Sequence, residues 1–166
     1  MTVGSAERAP VLVLGLGNTL LWDDGTGIRL LAMLEQEREW GAGVEFLDGG
    51  TQGLALLGAV ESRAGLLVLD AVGSGVGGAV KRVDGDDLAA LRAQRSTTAH
   101  EGNALELLEA AVLLGVAPKR TIVVGVSPVR LTTGIGLSDA VEAALPEAVA
   151  QAVSALMELT APPSLP

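Results

Sequence analysis

Three aspartates follow short apolar runs of the sequence, and each run predicts a buried β-strand. The pairs are Val11–Leu14 with Asp24 beyond a glycine-rich loop, Val44–Leu47 with Asp48, and Gly65–Leu69 with Asp70. Helical patterns separate these strands, which predicts parallel pairing with all three carboxyl ends at one edge of a sheet. Ligands of open α/β sheets bind at that edge. Carboxylates there repel one another unless a cation, a proton or a substrate donor compensates them, so the pattern predicts an acidic ligand site.

The only histidine of the chain, His100, is the second candidate for chemistry. Thr98 and Glu101 have the spacing of a capping box, which predicts a helix with His100 in its first turn. The positive end of a helix disfavours imidazolium, so the neutral, ligand-competent ring is available near pH 7. Two carboxylates and one imidazole suit a divalent ion such as Ni²⁺ or Zn²⁺ with open coordination positions. A hydrogen-bonded histidine at a helix start, without a ligand role, is the alternative.

Other catalytic patterns in the sequence are incomplete. GLGNTL begins like a dinucleotide fingerprint, but Leu20 stands where the third glycine or alanine belongs. The helix after His100 has Ala104 at the second histidine position of a zincin motif. Ser127 lies in GVSPV, which lacks the closing glycine of a nucleophile elbow. The absence of cysteine excludes thiolate metal sites and disulfides and is consistent with a reducing compartment.

The remaining local signals concern helix ends and one aromatic residue. The first helix is predicted to end near Trp40, and Ser138 is predicted to cap a last helix. Asp23 and Asp24 could also interact only with the positive end of the first helix. Trp22, on the loop before these acids, is predicted to be either partly buried or part of a docking surface.

The composition predicts one cytoplasmic domain. With 166 residues, 49% of them hydrophobic, the chain can build a single core. We expect this domain at residues 11–159, between flexible segments at residues 1–10 and 160–166, and we expect a monomer. The net charge of −9 disfavours nucleic acid as a partner. No signal peptide is recognised, and the longest apolar stretch, Ala64–Val80, is interrupted by Asp70, so no membrane span is expected.

Taken together, these motifs resemble those of the hydrogenase maturation proteases, the endopeptidases that trim the large subunit of nickel-iron hydrogenases. GLGNTLLWDDGTGIR is similar to the family's opening motif, LDGGTQG to its second motif and LLVLDAV to its third. The family's histidine falls on His100, with a helix after it. The resemblance extends from Val11 to about Leu159.

The resemblance implies a three-layer αβα sandwich with a mainly parallel, twisted sheet. It also implies that Asp24, Asp70 and His100 bind nickel. That nickel would belong to the substrate, a precursor of the large subunit, and would not need to be bound in the resting protein. Removal of the precursor's C-terminal extension would follow recognition of the metal.

The same resemblance suggests roles for individual residues. Asp24 or Asp70 would assist a water nucleophile, as in an aspartic-type endopeptidase, and a direct Lewis-acid role of the metal is the alternative. Asp48, Gly49, Gly50 and Thr51 would position the substrate's tail or serve packing. Many family members have glutamine where this chain has Glu101, and the extra acid could alter substrate choice or complete the helix cap.

Two other functions are open on the sequence. A peptidyl-tRNA hydrolase shares GLGN after its first strand, but this chain lacks that family's histidine-asparagine pair, and its acidity suits tRNA badly. A non-catalytic nickel sensor or carrier could use the same three ligands. Turnover of a precursor separates a protease from a carrier.

Overall fold

The computed structural model describes residues 8–73, 75–84, 87–93 and 104–162. Five strands form one sheet: β1 at Val11–Leu16, β2 at Val44–Gly50, β3 at Gly65–Ala71, β4 at Val80–Asp84 and β5 at Thr121–Val126. Five α-helices of the described residues accompany them: α1 at Thr26–Glu37, α2 at Leu57–Val60, α3 at Leu88–Ala93, α4 at Ala104–Leu113 and α5 at Asp139–Thr160. Two 3₁₀ helices, Trp22–Gly25 and Gly53–Leu56, precede α1 and α2.

The sheet has the strand order β2-β1-β3-β5-β4. β1, β2, β3 and β5 are parallel, and β4 alone runs antiparallel, beside β5. In this register Gly15 pairs with Asp48 on one side and with Leu69, the residue before Asp70, on the other. The prediction that the first three strands end at one edge is therefore confirmed.

Helices cover both faces of the sheet, because each central strand is apolar on both sides. In β1, Val11 and Val13 belong to the core cluster with α1 and α5, whereas Leu12 and Leu14 belong to the cluster with α2 and α4. Complete burial of successive residues is typical of a parallel sheet covered on both faces. The predicted three-layer αβα architecture is confirmed.

Two details of the helices differ from the sequence-based expectation. α1 ends at Glu37, not near Trp40, because the backbone at Arg38 is extended. The Trp40 indole instead donates to the carbonyl oxygen of Leu34 at 2.8 Å, which satisfies one of the free carbonyls at the helix end. The helix that the sequence predicts between the second and third strands is divided between the second 3₁₀ helix and α2.

The longest helix, α5, packs along the sheet beside α1. Within the part of the chain that the structure describes, it is the one helix that is long and apolar enough to cross a membrane. Eight of its residues, including Val141, Leu145 and Leu156, are buried in the core cluster with α1, β1, β3 and β5. Such burial is typical of a core helix.

Candidate active site

The loop after β1 is folded tightly around Asp24. Gly17 has a φ of +133°, and a Cβ there would collide with the carbonyl oxygen of Asp24. The backbone N–H of Asn18 donates to Asp24 Oδ2 at 2.9 Å. Gly17 also donates its N–H to the carbonyl oxygen of Gly50 at 2.9 Å, which joins this loop to the end of β2. The glycine pattern therefore fixes the position of the half-buried Asp24.

A second glycine allows the first turn of α1 to approach the sheet edge. A Cβ at Gly27 would collide with the carbonyl oxygens of Leu16 and Leu69. Only glycine allows the helix to approach the ends of β1 and β3 this closely. As a result Asp24, just before α1, comes close to Asp70, the residue after Leu69.

Asp70 is buried at the end of β3, and its carboxyl group accepts backbone N–H groups on two sides. Ala71 donates to Oδ1 at 2.8 Å, and Ala104 donates from the start of α4. Burial and the nearby negative charge of Asp24 raise the pKa of Asp70 to about 7, although the two backbone hydrogen bonds act in the opposite direction. The structure therefore brings Asp24 and Asp70 together, as the sequence predicts. Asp70 can therefore exchange a proton near neutral pH, and the two carboxyl groups together can accept a cation.

Asp48 lies at the same sheet edge but in a different environment from Asp70. It is exposed, and its Oδ1 accepts the N–H of Gly50 at 3.0 Å, so it forms a local turn. Asp48 is absent from the interactions that shift the pKa of Asp70. Gly49 is buried against Leu14, Leu16 and Leu56 side chains, which is a packing role, whereas Thr51 is exposed.

The third predicted metal ligand, His100, lies outside the described residues, as do Thr98 and Glu101. The described part of the predicted helix is α4, which begins at Ala104. Among the residues that the structure describes, no three His, Cys, Asp or Glu side chains form a group that could hold a metal ion. The predicted set of Asp24, Asp70 and His100 thus remains a prediction.

Asp23, for which the sequence predicts only an interaction with the positive end of the first helix, accepts more hydrogen bonds than Asp24 or Asp70. It is fully buried. Its Oδ2 accepts N–H groups of Val129 and Arg130, both at 2.8 Å, and the Ser138 hydroxyl at 2.6 Å. Its Oδ1 accepts the Ser138 N–H at 2.7 Å. Burial alone raises the pKa of Asp23, but these hydrogen bonds outweigh burial and hold the pKa below its usual range.

These bonds correct the prediction for Ser138. Ser138 occupies the N-cap position of α5, but its hydroxyl makes no capping hydrogen bond to that helix and donates to Asp23 instead. Asp23 therefore ties the loop between β5 and α5 to the loop that carries Asp24. No local sequence pattern marks this contact, because the two residues are far apart in the chain.

Trp22 adopts an unusual backbone conformation directly before the two acids. Its φ is +46°, a conformation that bulky residues rarely adopt. The Arg130 guanidinium lies over its ring, 4.1 Å from the ring centre, and a Cβ on Gly134 would collide with its indole nitrogen. Trp22 is half-buried, so the prediction of partial burial is confirmed.

Known proteins with the same fold and sequence pattern identify the family. The family model HycI, described as a hydrogenase maturation protease, matches residues 28–155. The chain belongs to the hydrogenase maturation protease family. Its fold agrees, since the hydrogenase maturating endopeptidase HybD of Escherichia coli superposes with a TM-score of 0.80 at 36% identity, over 90% of this chain and 93% of HybD.

Other maturation proteases are similar along most of the chain. Hydrogenase 2 maturation protease of Escherichia coli K12 is 37% identical over 150 residues, which are 89% of this chain and 91% of that protein. The HybD maturation protease of Thermococcus kodakarensis has a TM-score of 0.67 at 26% identity, over 87% of this chain and 97% of HybD. HupD of Thiocapsa roseopersicina is 38% identical over 122 residues, and this match spans 55% of HupD. The members of this family are endopeptidases, and this chain is therefore one as well. Family membership argues against both a peptidyl-tRNA hydrolase and a nickel carrier.

Proposed function

We propose that this maturation protease removes the C-terminal extension of a nickel-loaded nickel-iron hydrogenase large-subunit precursor. The observation that carries the proposal is the pair of carboxyl groups formed by Asp24 and Asp70 at the carboxyl edge of the sheet. In open α/β folds this edge is where ligands bind. Membership of the family indicates the reaction, which is hydrolysis of a peptide bond. The two carboxyl groups could bind a metal ion carried by the peptide and could accept a proton.

The precursor's nickel is the feature that we expect the site to recognise. Asp70 is buried beside a second carboxylate, so a divalent cation between them would compensate both charges. His100 would be the third ligand, and it stands four positions before Ala104, whose N–H binds Asp70. Carboxylates and an imidazole leave open positions on nickel for groups of the precursor. The metal is substrate here, and the resting protein need not hold it.

Hydrolysis would then use a water molecule close to the held extension. Asp24 or Asp70 would accept a proton from that water; Asp70, whose pKa is raised to about 7, is suited to act as a general base at neutral pH. Direct polarisation of the scissile carbonyl by nickel is the alternative. Asp48 and Thr51 are exposed at the same edge and would contact the extension, while Gly49 and Gly50 shape the turn between them.

The setting of the reaction belongs to the same proposal. A chain without cysteine is compatible with the reducing cytoplasm, where we place cleavage. Its net charge of −9 opposes self-association, and we propose a monomer that binds neither nucleic acid nor membranes.

The experiment is cleavage of a nickel-loaded precursor by wild type and by Asp24→Asn, Asp70→Asn and His100→Ala, followed by intact mass. We expect wild type to release a C-terminal peptide and each variant to lose at least about 100-fold in rate. Asp139→Asn, at the exposed start of α5, is the matched control and should cleave like wild type. Cleavage by Asp70→Asn at the wild-type rate would rule out its role as ligand or base.

A further inference from the structure

We infer that three loops beside the Asp24–Asp70 pair form an apolar surface on which the folded body of the precursor docks. The inference rests on the proposed function, because it takes the precursor as the partner. The docking surface consists of Leu20, Trp22, Val76, Val129 and Ile135. These residues lie on the loops that follow β1, β3 and β5.

The loops that follow β1 and β5 are joined by backbone hydrogen bonds. Gly134 donates its N–H to the carbonyl oxygen of Leu20 at 2.8 Å and accepts the N–H of Trp22 at 3.0 Å. Leu21 and Gly134 form an isolated parallel bridge between these bonds. Ile135, the next residue, is therefore held beside Leu20 and Trp22.

The loop that follows β3 lies against Val129 of the loop after β5. A Cβ on Gly77 would collide with the Val129 side chain, so the backbone next to Val76 lies directly against it. Gly78 also donates its N–H to the carbonyl oxygen of Ser127 at 2.8 Å. The three loops that carry these apolar side chains are thus in contact with one another.

The docking surface is largely exposed to water. The exposed fraction is 80% for Val76, 79% for Ile135, 59% for Leu20 and 58% for Val129. Exposed apolar side chains on loops that contact one another are typical of an interaction site. The hydrogen bonds to Asp23 hold the loop of Val129 in place before any partner binds, which lowers the entropic cost of docking.

The position and the charge of the chain favour the precursor as occupant over a second copy. Trp22 immediately precedes Asp23 and Asp24, so a protein whose tail reaches Asp24 brings its folded body next to this surface. Two copies would each bring a net charge of −9 and repel one another. We therefore expect the partner's contact face to be apolar with a neutral or basic rim.

The test compares the double variant Val76→Ser/Ile135→Ser with Leu113→Ser. Leu113 is the matched control because it is 86% exposed but lies at the far end of α4, which starts beside Asp70. Binding of each protein to the nickel-loaded precursor is measured by interferometry, and cleavage by intact mass. We expect Kd and KM of the double variant to rise about tenfold with kcat unchanged, because the chemistry is untouched. Leu113→Ser should match wild type, and all three proteins should share one unfolding midpoint.

Equal precursor binding by wild type and the double variant would overturn the docking surface. A wild-type dimer in sedimentation that the double variant abolishes would also overturn it, because the occupant would then be a second copy. If wild type binds the precursor but never cleaves it, the proposed function is wrong. The docking surface is still tested in that case, because the binding of wild type and of the double variant can be compared without cleavage.

Discussion

Replacing Asp23 with asparagine tests whether this buried carboxylate holds the site loops together. One carboxylate accepts four hydrogen bonds, three of them from the backbone N–H groups of Val129, Arg130 and Ser138. An asparagine amide offers a single oxygen and presents an NH₂ group to at least one of these donors. The charge that strengthens each bond is lost as well.

The expected loss follows from those bonds. A buried donor left without a partner costs about 1–3 kcal/mol, and weakening the charge-assisted bonds adds to this cost. We expect Asp23→Asn to lower the free energy of unfolding by about 2–4 kcal/mol, a large share of the about 5–15 kcal/mol typical of a domain. For a chain of this size the unfolding midpoint should fall by about 5–15 °C.

Urea unfolding of wild type, Asp23→Asn and Asp139→Asn, followed by circular dichroism, measures this loss. Because the pKa of Asp23 is lowered in the folded protein, its stabilisation is complete above the unfolded pKa of about 3.9 and disappears as pH falls through the folded pKa. The difference between wild type and Asp23→Asn should therefore be constant from about pH 5 to pH 8 and shrink below about pH 4. Equal stability of Asp23→Asn and wild type at pH 7 would refute the reasoning.

Three further changes test the geometry of the site. Asp24→Asn should lower the pKa of Asp70 below about 7, because the negative charge of Asp24 is one of the two causes that raise it. The pKa is measured by NMR titration of the carboxyl groups, and an unchanged value would contradict the prediction. Gly27→Ala should cost about 3 kcal/mol or more in unfolding experiments, since its Cβ would collide with the ends of β1 and β3. Ser127→Ala should leave the free energy of unfolding unchanged or raise it by about 1 kcal/mol, because the buried hydroxyl has no hydrogen-bond partner among the residues that the structure describes; a clear loss of stability would contradict this.

The sequence predicts the parts of this fold that depend on local patterns. Continuous apolar runs such as Val11–Leu14 identify strands buried on both faces, and intervening helices imply parallel pairing. From this alone Asp24 and Asp70 are expected at one edge, and the structure confirms it. The glycines of the first loop are also informative, since the collisions at Gly17 and Gly27 show why no other residue fits.

The parts that the sequence does not predict depend on contacts between distant loops. Asp23 and Ser138 are in contact in the folded protein but far apart in the sequence. The sequence alone therefore predicts a helix cap for Ser138, because it does not show that the Asp23 carboxylate lies beside the hydroxyl. The distinction between Asp48 and Asp70 has a similar origin. Both follow the apolar run of a strand, but Asp48 is exposed whereas Asp70 is buried and bonded to the N–H of Ala104, a difference that only the tertiary structure reveals.

The most direct test of the proposed function is the intact mass of a large-subunit precursor from the same organism after incubation with wild-type protein. The precursor is supplied in nickel-loaded and nickel-free forms under otherwise identical conditions. Metal recognition by Asp24, Asp70 and His100 predicts loss of a C-terminal peptide from the loaded form alone. Equal cleavage of both forms, or cleavage of neither while the protein still binds nickel, would contradict the proposal.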